Sequence, residues 1–168
     1  MGFFSKDIKT LDDLFVHTLR DIYYAEKKIE KVLPNMTDRA SDASLKESFD
    51  RHRDQTGLHI ERLEKVFKMY GREARTVSCP AIEGIIEETD EISGDIDDDK
   101  VMDAALIAAA QAVEHYEITR YGTLIAWARE LGRNDCAEIL EETLAEERAT
   151  DQVLTNIAES RINLRSAA

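Results

Sequence analysis

Proline and glycine are scarce in this chain, with 2 prolines and 7 glycines among 168 residues. All-β sandwiches and barrels need a turn signal roughly every 8–12 residues, so the shortage argues against both. Cysteine is limited to Cys79 and Cys136, which have neither CxxC nor zinc-type spacing. That removes a disulfide framework and a cysteine-built structural metal site, and both read as reduced thiols with a redox role left open. Positive charge is short as well: 22 Lys and Arg face 35 Asp and Glu, a formal net charge of -13. Such a surface repels phosphates and speaks against a nucleic-acid partner. No apolar run approaches the roughly 18 residues of a membrane span. The opening MGFFSKDIKTLDDLF lacks the hydrophobic stretch and small-residue cleavage site of a secretory signal. The expectation is a cytoplasmic protein with no membrane partner.

What the chain has in plenty is Ala, Leu, Ile, Glu and Lys, the residues of long helices. Its length suits one all-α domain over 1–168 with a single core. Thr10 with Asp13 predicts a capping box, followed by a stripe of Leu11, Phe15, Thr18, Ile22, Ala25 and Ile29 and a first helix ending near Thr37. A second helix restarts at Ser41 or Ser44, carries Leu45, Phe49, His52, Thr56, His59, Leu63 and Val66, and stops at Gly71. A third long helix spans about Val101 to Leu131, and a fourth begins near the N-cap candidate Asn134. Residues from about 163 onward read as a flexible tail. Between about 72 and 100 lies a crossover holding a short amphipathic helix and the acidic run SGDIDDD. Two short-looped antiparallel hairpins joined by a long crossover define a ferritin-like four-helix bundle.

Polar residues interrupt each apolar stripe: Glu26 in the first helix, His52, Thr56 and His59 in the second, Gln111 and Glu114 in the third, Glu147 and Asp151 in the fourth. Buried ionisable groups cost several kcal/mol unless a partner charge or a metal compensates them. Two first-row metal ions held by carboxylates and imidazoles inside a bundle would do so. The usual pattern, a Glu from two helices and Glu-x-x-His from the other two, is missing here. A metal-free alternative stands beside it: the histidines as ordinary core groups, Glu114 and Glu147 paired with Arg20, Arg62, Arg120 or Arg148, and Glu26 reaching solvent.

The segments TLDDLFVHTLRDIYYAEKKI, CPAIEGIIEE, AALIAAAQAVEHYEITRYGTL and ETLAEERATDQVLTNIA closely resemble the YciF/YciE family of bacterial stress proteins, a ferritin-like family long described as a domain of unknown function. The resemblance covers nearly the whole chain. It implies a four-helix bundle with an extra short helix, a homodimer, and kinship with rubrerythrin-like carboxylate metalloproteins, but no established reaction. Carried over by position, it points to Glu26, to Glu114 and Glu117 with His115 between them, and to Glu146, Glu147 and Asp151. The second helix departs from the family: where relatives read HLEET this chain reads HRDQT, so Gln55 replaces a carboxylate, and His59 is expected to compensate with an imidazole.

The expected metal ligands are therefore Glu26, His59, Glu114, Glu117, Glu147 and Asp151, with His52, Gln55, His115 and Glu146 as further candidates. The expected cofactor is iron or manganese, serving peroxide, oxygen or metal handling in a stress response. The alternative is a metal-free homodimeric scaffold or protective protein, and an unidentified protein partner is left open for either.

Overall fold

The computed structural model describes residues 8–167, all of whose regular structure is helical. The helices are α1 (Leu11–Arg39), α2 (Ala43–Met69), α3 (Pro80–Gly94), α4 (Asp99–Glu130), α5 (Asn134–Ile157) and α6 (Asn163–Ser166), with a π turn at Ala158–Ile162. α1 starts as its sequence predicts. Thr10 Oγ1 accepts from Asp13 N and Asp13 Oδ2 accepts from Thr10 N, both at 3.0 Å. Gly71 and Gly132 take positive φ, 70° and 73°. They close α2 and α4 with paired bonds, Arg72 N to Phe67 O and Arg133 N to Ala128 O, that satisfy the last free carbonyls.

Three helix starts differ from expectation. Asp42, rather than Ser41 or Ser44, caps α2, because its carboxylate accepts from Ser44 N and Leu45 N. α4 begins two residues early, at Asp99, because Asp98 caps it in the same way. Asn134 is the first residue inside α5 rather than its cap; Arg133 occupies the cap position without a capping side chain.

α1 packs on α2 and α4, and α5 packs on α4 and α2, so the four long helices form a closed ring with α3 against α4. The start of α4 lies at the α1–α2 turn, where Asp103 accepts from Ser41 N, Ser41 Oγ and Asp42 N at 2.7, 2.6 and 3.1 Å. The opposite end is fixed by Arg133 Nη2 donating to Met69 O. The crossover therefore travels the full length of the bundle, as the ferritin-like topology requires. Phe15, Leu19, Ile22, Leu45, Leu63, Leu106 and Leu124 fill the core with essentially no exposure. The segment from 163, expected to be a flexible tail, continues as helix to Ser166, and Arg161 and Arg165 reach Asp42.

Asp103 is 2 % exposed and answers three donors at once. Asp103→Ala strands two backbone N–H groups at the α2 start, and the urea midpoint should report a loss of about 2 kcal/mol or more.

Candidate metal centre

Halfway along the bundle each long helix presents ionisable side chains to the axis. Glu26 comes from α1, His52 and His59 from α2, Glu114 and Glu117 from α4, and Glu147 from α5; none is more than 3 % exposed. Local spacing explains how. Glu114 and Glu117 lie one turn apart on α4, and Tyr121 continues the same buried face. His52 and His59 stand two turns apart on α2, with their rings 6.3 Å between centroids. The intervening Thr56 turns its hydroxyl back to donate to His52 O.

The side chains form two groups that share one member. His52, Glu114, Glu117 and Glu147 can each offer a donor atom with all four within 4.8 Å of one another, and so can Glu26, His59 and Glu147. His59 Nδ1 lies 2.9 Å from Glu147 Oε1 and 3.5 Å from Glu26 Oε1. His52 Nε2 is 3.2 Å from Glu114 Oε1 and His52 Nδ1 is 4.0 Å from Glu147 Oε2.

Most of these atoms have nothing to bond. Of the twelve buried side-chain N and O atoms without a hydrogen-bond partner among the described residues, nine belong to Glu26, His52, His59, Glu114, Glu117 and Glu147. Native interiors keep such orphans rare, so nine in one spot point to a missing partner. Four carboxylates and two imidazoles are the donor set that first-row divalent metals take in helical bundles. The residues thus fit a pair of ions, although the Glu-x-x-His spacing is absent. Both histidines come from α2, and α4 supplies Glu-x-x-Glu, so the usual donor count is kept while its distribution over the helices is changed.

Burial drives the electrostatics. It raises Glu114 and Glu117 well above the ordinary carboxylate range, with the charge of Glu147 adding to the effect. Glu26 rises too, burial outweighing the pull of His59. Burial lowers His52. Burial also opposes the charge on His59, yet the close carboxylates of Glu147 and Glu26 win and push it up to about 10. Glu147 is held low despite burial, because His59 and His52 face it.

A second layer fixes the first. Arg62 donates to both oxygens of Glu146, at 2.6 and 3.0 Å, and Glu146 Oε2 lies 2.8 Å from His59 Nε2. With Nε2–H directed at Glu146, Nδ1 is left facing Glu26 and Glu147, the arrangement that orients a histidine ligand. On the other side Tyr121 Oη donates to Glu26 Oε1. Glu146→Gln removes that acceptor charge, and metal affinity measured by competition with a chromophoric chelator should fall about 10- to 100-fold.

The structure brings together five of the six expected ligands: Glu26, His59, Glu114, Glu117 and Glu147. The sixth, Asp151, stands apart at the α4–α5 edge, where Gln111 Nε2 donates to it at 3.0 Å and His115 Nε2 lies 3.3 Å away. Of the further candidates only His52 joins the cluster. His115 is exposed, its side chain retaining 69 % of its accessibility. Gln55 is half-buried. Glu146 acts on His59 from behind. His52 carried a readable signal in the stripe Phe49, His52, Thr56, His59, because an imidazole on a core face needs a polar partner even without a Glu-x-x-His pair.

A ferritin-like bundle with a buried carboxylate–histidine cluster is the class that fold and site define. Within that class the chain belongs to the DUF892 family, a domain of unknown function whose model matches residues 10–167. It is 42% identical to Protein YciF of Escherichia coli K12 over 158 residues, covering 94% of this chain and 95% of YciF. The crystal structure of that E. coli stress protein superposes with a TM-score of 0.88, covering 93% of this chain and 99% of the other. YcfI of Rhodopseudomonas palustris, which bears a provisional designation as a structural protein, gives 0.91 at 52% identity over the same shares. A ferritin-like fold is also seen in a two-domain Anabaena variabilis protein containing DJ-1-like and ferritin-like domains, at 21% identity and a TM-score of 0.63, with 92% of this chain and 38% of that one covered. Among the described residues, no helix is long and apolar enough to cross a membrane.

Proposed function

We propose that this chain is a ferritin-like stress-response protein whose bundle binds two iron or manganese ions and acts on peroxide or dioxygen, or in metal handling. The observation that carries the reading is the convergence of nine unpartnered buried donor atoms on one point of the bundle. Glu26 and His59 would hold one ion and His52, Glu114 and Glu117 the other, with Glu147 common to both. Iron or manganese bound there supplies one-electron redox chemistry that no side chain of the cluster provides.

The chain's own contribution is positional and protonic. The apolar walls exclude bulk water, Arg62 and Glu146 hold His59, and Tyr121 supports Glu26 with a hydroxyl. A cytoplasmic location and a homodimer belong to the same proposal. Exposed Ile92, in a groove with Ala105, Ala108, Ala109 and Ala112 of α4, supplies apolar surface for a second copy. The net charge of -13 weighs against nucleic acid as a partner.

One observation favours a second reading, a metal-free scaffold. His59 Nδ1, 2.9 Å from Glu147, gives the cluster an internal cation when protonated. Anaerobic titration of the chelator-treated chain with Fe(II) or Mn(II) separates the two. Two ions per chain, with protons released as ligands lose them, is the expected result. Weak, substoichiometric uptake that is unchanged in the Glu114→Ala, Glu147→Ala double variant would overturn the metal reading.

A further inference from the structure

A narrow apolar cavity opens between α1 and α3 and reaches inward to the His52 and Glu114 side of the cluster. Leu33, Phe49, Leu106, Ala110, Val113 and Leu154 wall it, and Arg39, Asn35 and Asp90 stand at its rim. A cavity with an apolar wall and a few polar groups at one end is the usual form of a small-molecule site.

Arg39 supplies the second observation. Its side chain keeps only 26 % of its accessibility, and its hydrogen-bond acceptor among the described residues is the thioether of Met102, 3.7 Å away. Asp90 Oδ1 is 3.9 Å off, beyond hydrogen-bond reach, on a side chain that is 69 % exposed. A guanidinium carries five donors in a fork that matches a carboxylate, so a sulfur acceptor leaves it poorly satisfied. The wall from Ile29 to Arg39 extends about 15 Å along α1, the reach of an extended medium-length alkyl chain.

We infer that this cavity binds an unbranched aliphatic monocarboxylate, its headgroup on the Arg39 guanidinium and its chain running toward His52 and Glu114. The inference goes beyond the metal reading and stands without it, since no proposed metal ligand is needed to hold the headgroup. Net charge does not oppose it, because recognition falls to one short-range bidentate contact. The chain ends beside the cluster, so an occupied cavity would also keep water from that side.

Calorimetric titration of the full chain with decanoate and with decanol, after chelator treatment, tests it. Saturable binding of one decanoate per chain is expected, with decanol weaker. Arg39→Gln should weaken decanoate about tenfold or more and leave decanol within about twofold, the loss of one charge-assisted pair. Ala110→Phe, which fills the cavity, should abolish both. If circular dichroism shows that variant unfolded, Val113→Phe, at a half-buried wall position, takes its place. No saturable decanoate binding, binding indifferent to cavity filling, or equal affinity for decanol and decanoate would overturn the inference. Decanoate binding that requires added Fe(II) or Mn(II) and ignores Arg39→Gln would overturn it too, by placing the carboxylate on the metal.

Discussion

Glu147→Ala is expected to take metal binding from two ions per chain to none detectable, while Glu114→Gln leaves one. The difference lies in which group each residue serves. Glu147 belongs to both donor groups, whereas Glu114 belongs only to that of His52. Removing groups that merely orient a ligand costs about 10- to 100-fold in affinity, so losing a ligand shared by two ions should exceed that for each. Elemental analysis after anaerobic loading and gel filtration reads the stoichiometry. Equal losses in the two variants would refute the sharing of Glu147. Apo stability offers a control: Glu147→Ala leaves the Nδ1 side of a protonated His59 facing Glu26 alone, and removing one partner of a buried pair costs about 3–5 kcal/mol. Glu147→Gln keeps the shape and should approach the same stoichiometry with a milder stability loss.

Chelator-treated protein should lose stability as pH rises from about 5 to 10, by about 2 kcal/mol or more. Glu114, Glu117 and Glu26 lie above their unfolded values, so their stabilising protonation is fully present below the ordinary carboxylate range and is lost as pH climbs through the raised values. His59, at about 10, adds a contribution that is present below the ordinary imidazole range and fades as pH passes through about 10. His52, shifted down, costs nothing above its ordinary value. Glu147 and Glu146 are shifted down, and their contributions fade only on the acid side, below the ordinary carboxylate range. Metal should reverse the slope, because ions replace the protons and bind better as the ligands ionise. Urea midpoints across pH, with chelator and with Mn(II), would show the two slopes. An apo curve that is flat or rises toward pH 9 would contradict the buried-proton picture.

The fold was largely legible because its signals are local. The Thr10–Asp13 box, the stop at Gly71 and the apolar stripes each depend on neighbours in sequence. Starts that depend on competition between adjacent cappers were less legible. Asp42 wins over Ser41 and Ser44 with help from Asp103, which lies 61 residues away in sequence. In the site, Glu26, Glu114 and Glu147 stood out because an ionised group within an apolar stripe is costly wherever it occurs. The exclusion of Asp151 was not visible, since Gln111 and His115 sit on a different helix and draw it to the edge. Nor was the role of Glu146, whose meaning comes from Arg62 across the α2–α5 contact.

The cluster is divided between the hairpins: α1 and α2 bring both imidazoles and Glu26, while α4 and α5 bring Glu114, Glu117 and Glu147. It therefore lies on a seam between two halves that only the crossover connects in sequence. No single loop covers it and the cavity on its His52 side is apolar, so an ion held there would enter or leave where the halves part locally, at a rate set by the free energy of that opening. The fastening at the α1–α2 turn, where Asp103, Asp42 and Arg161 meet, would thus bear on how long an ion stays at a centre it does not touch.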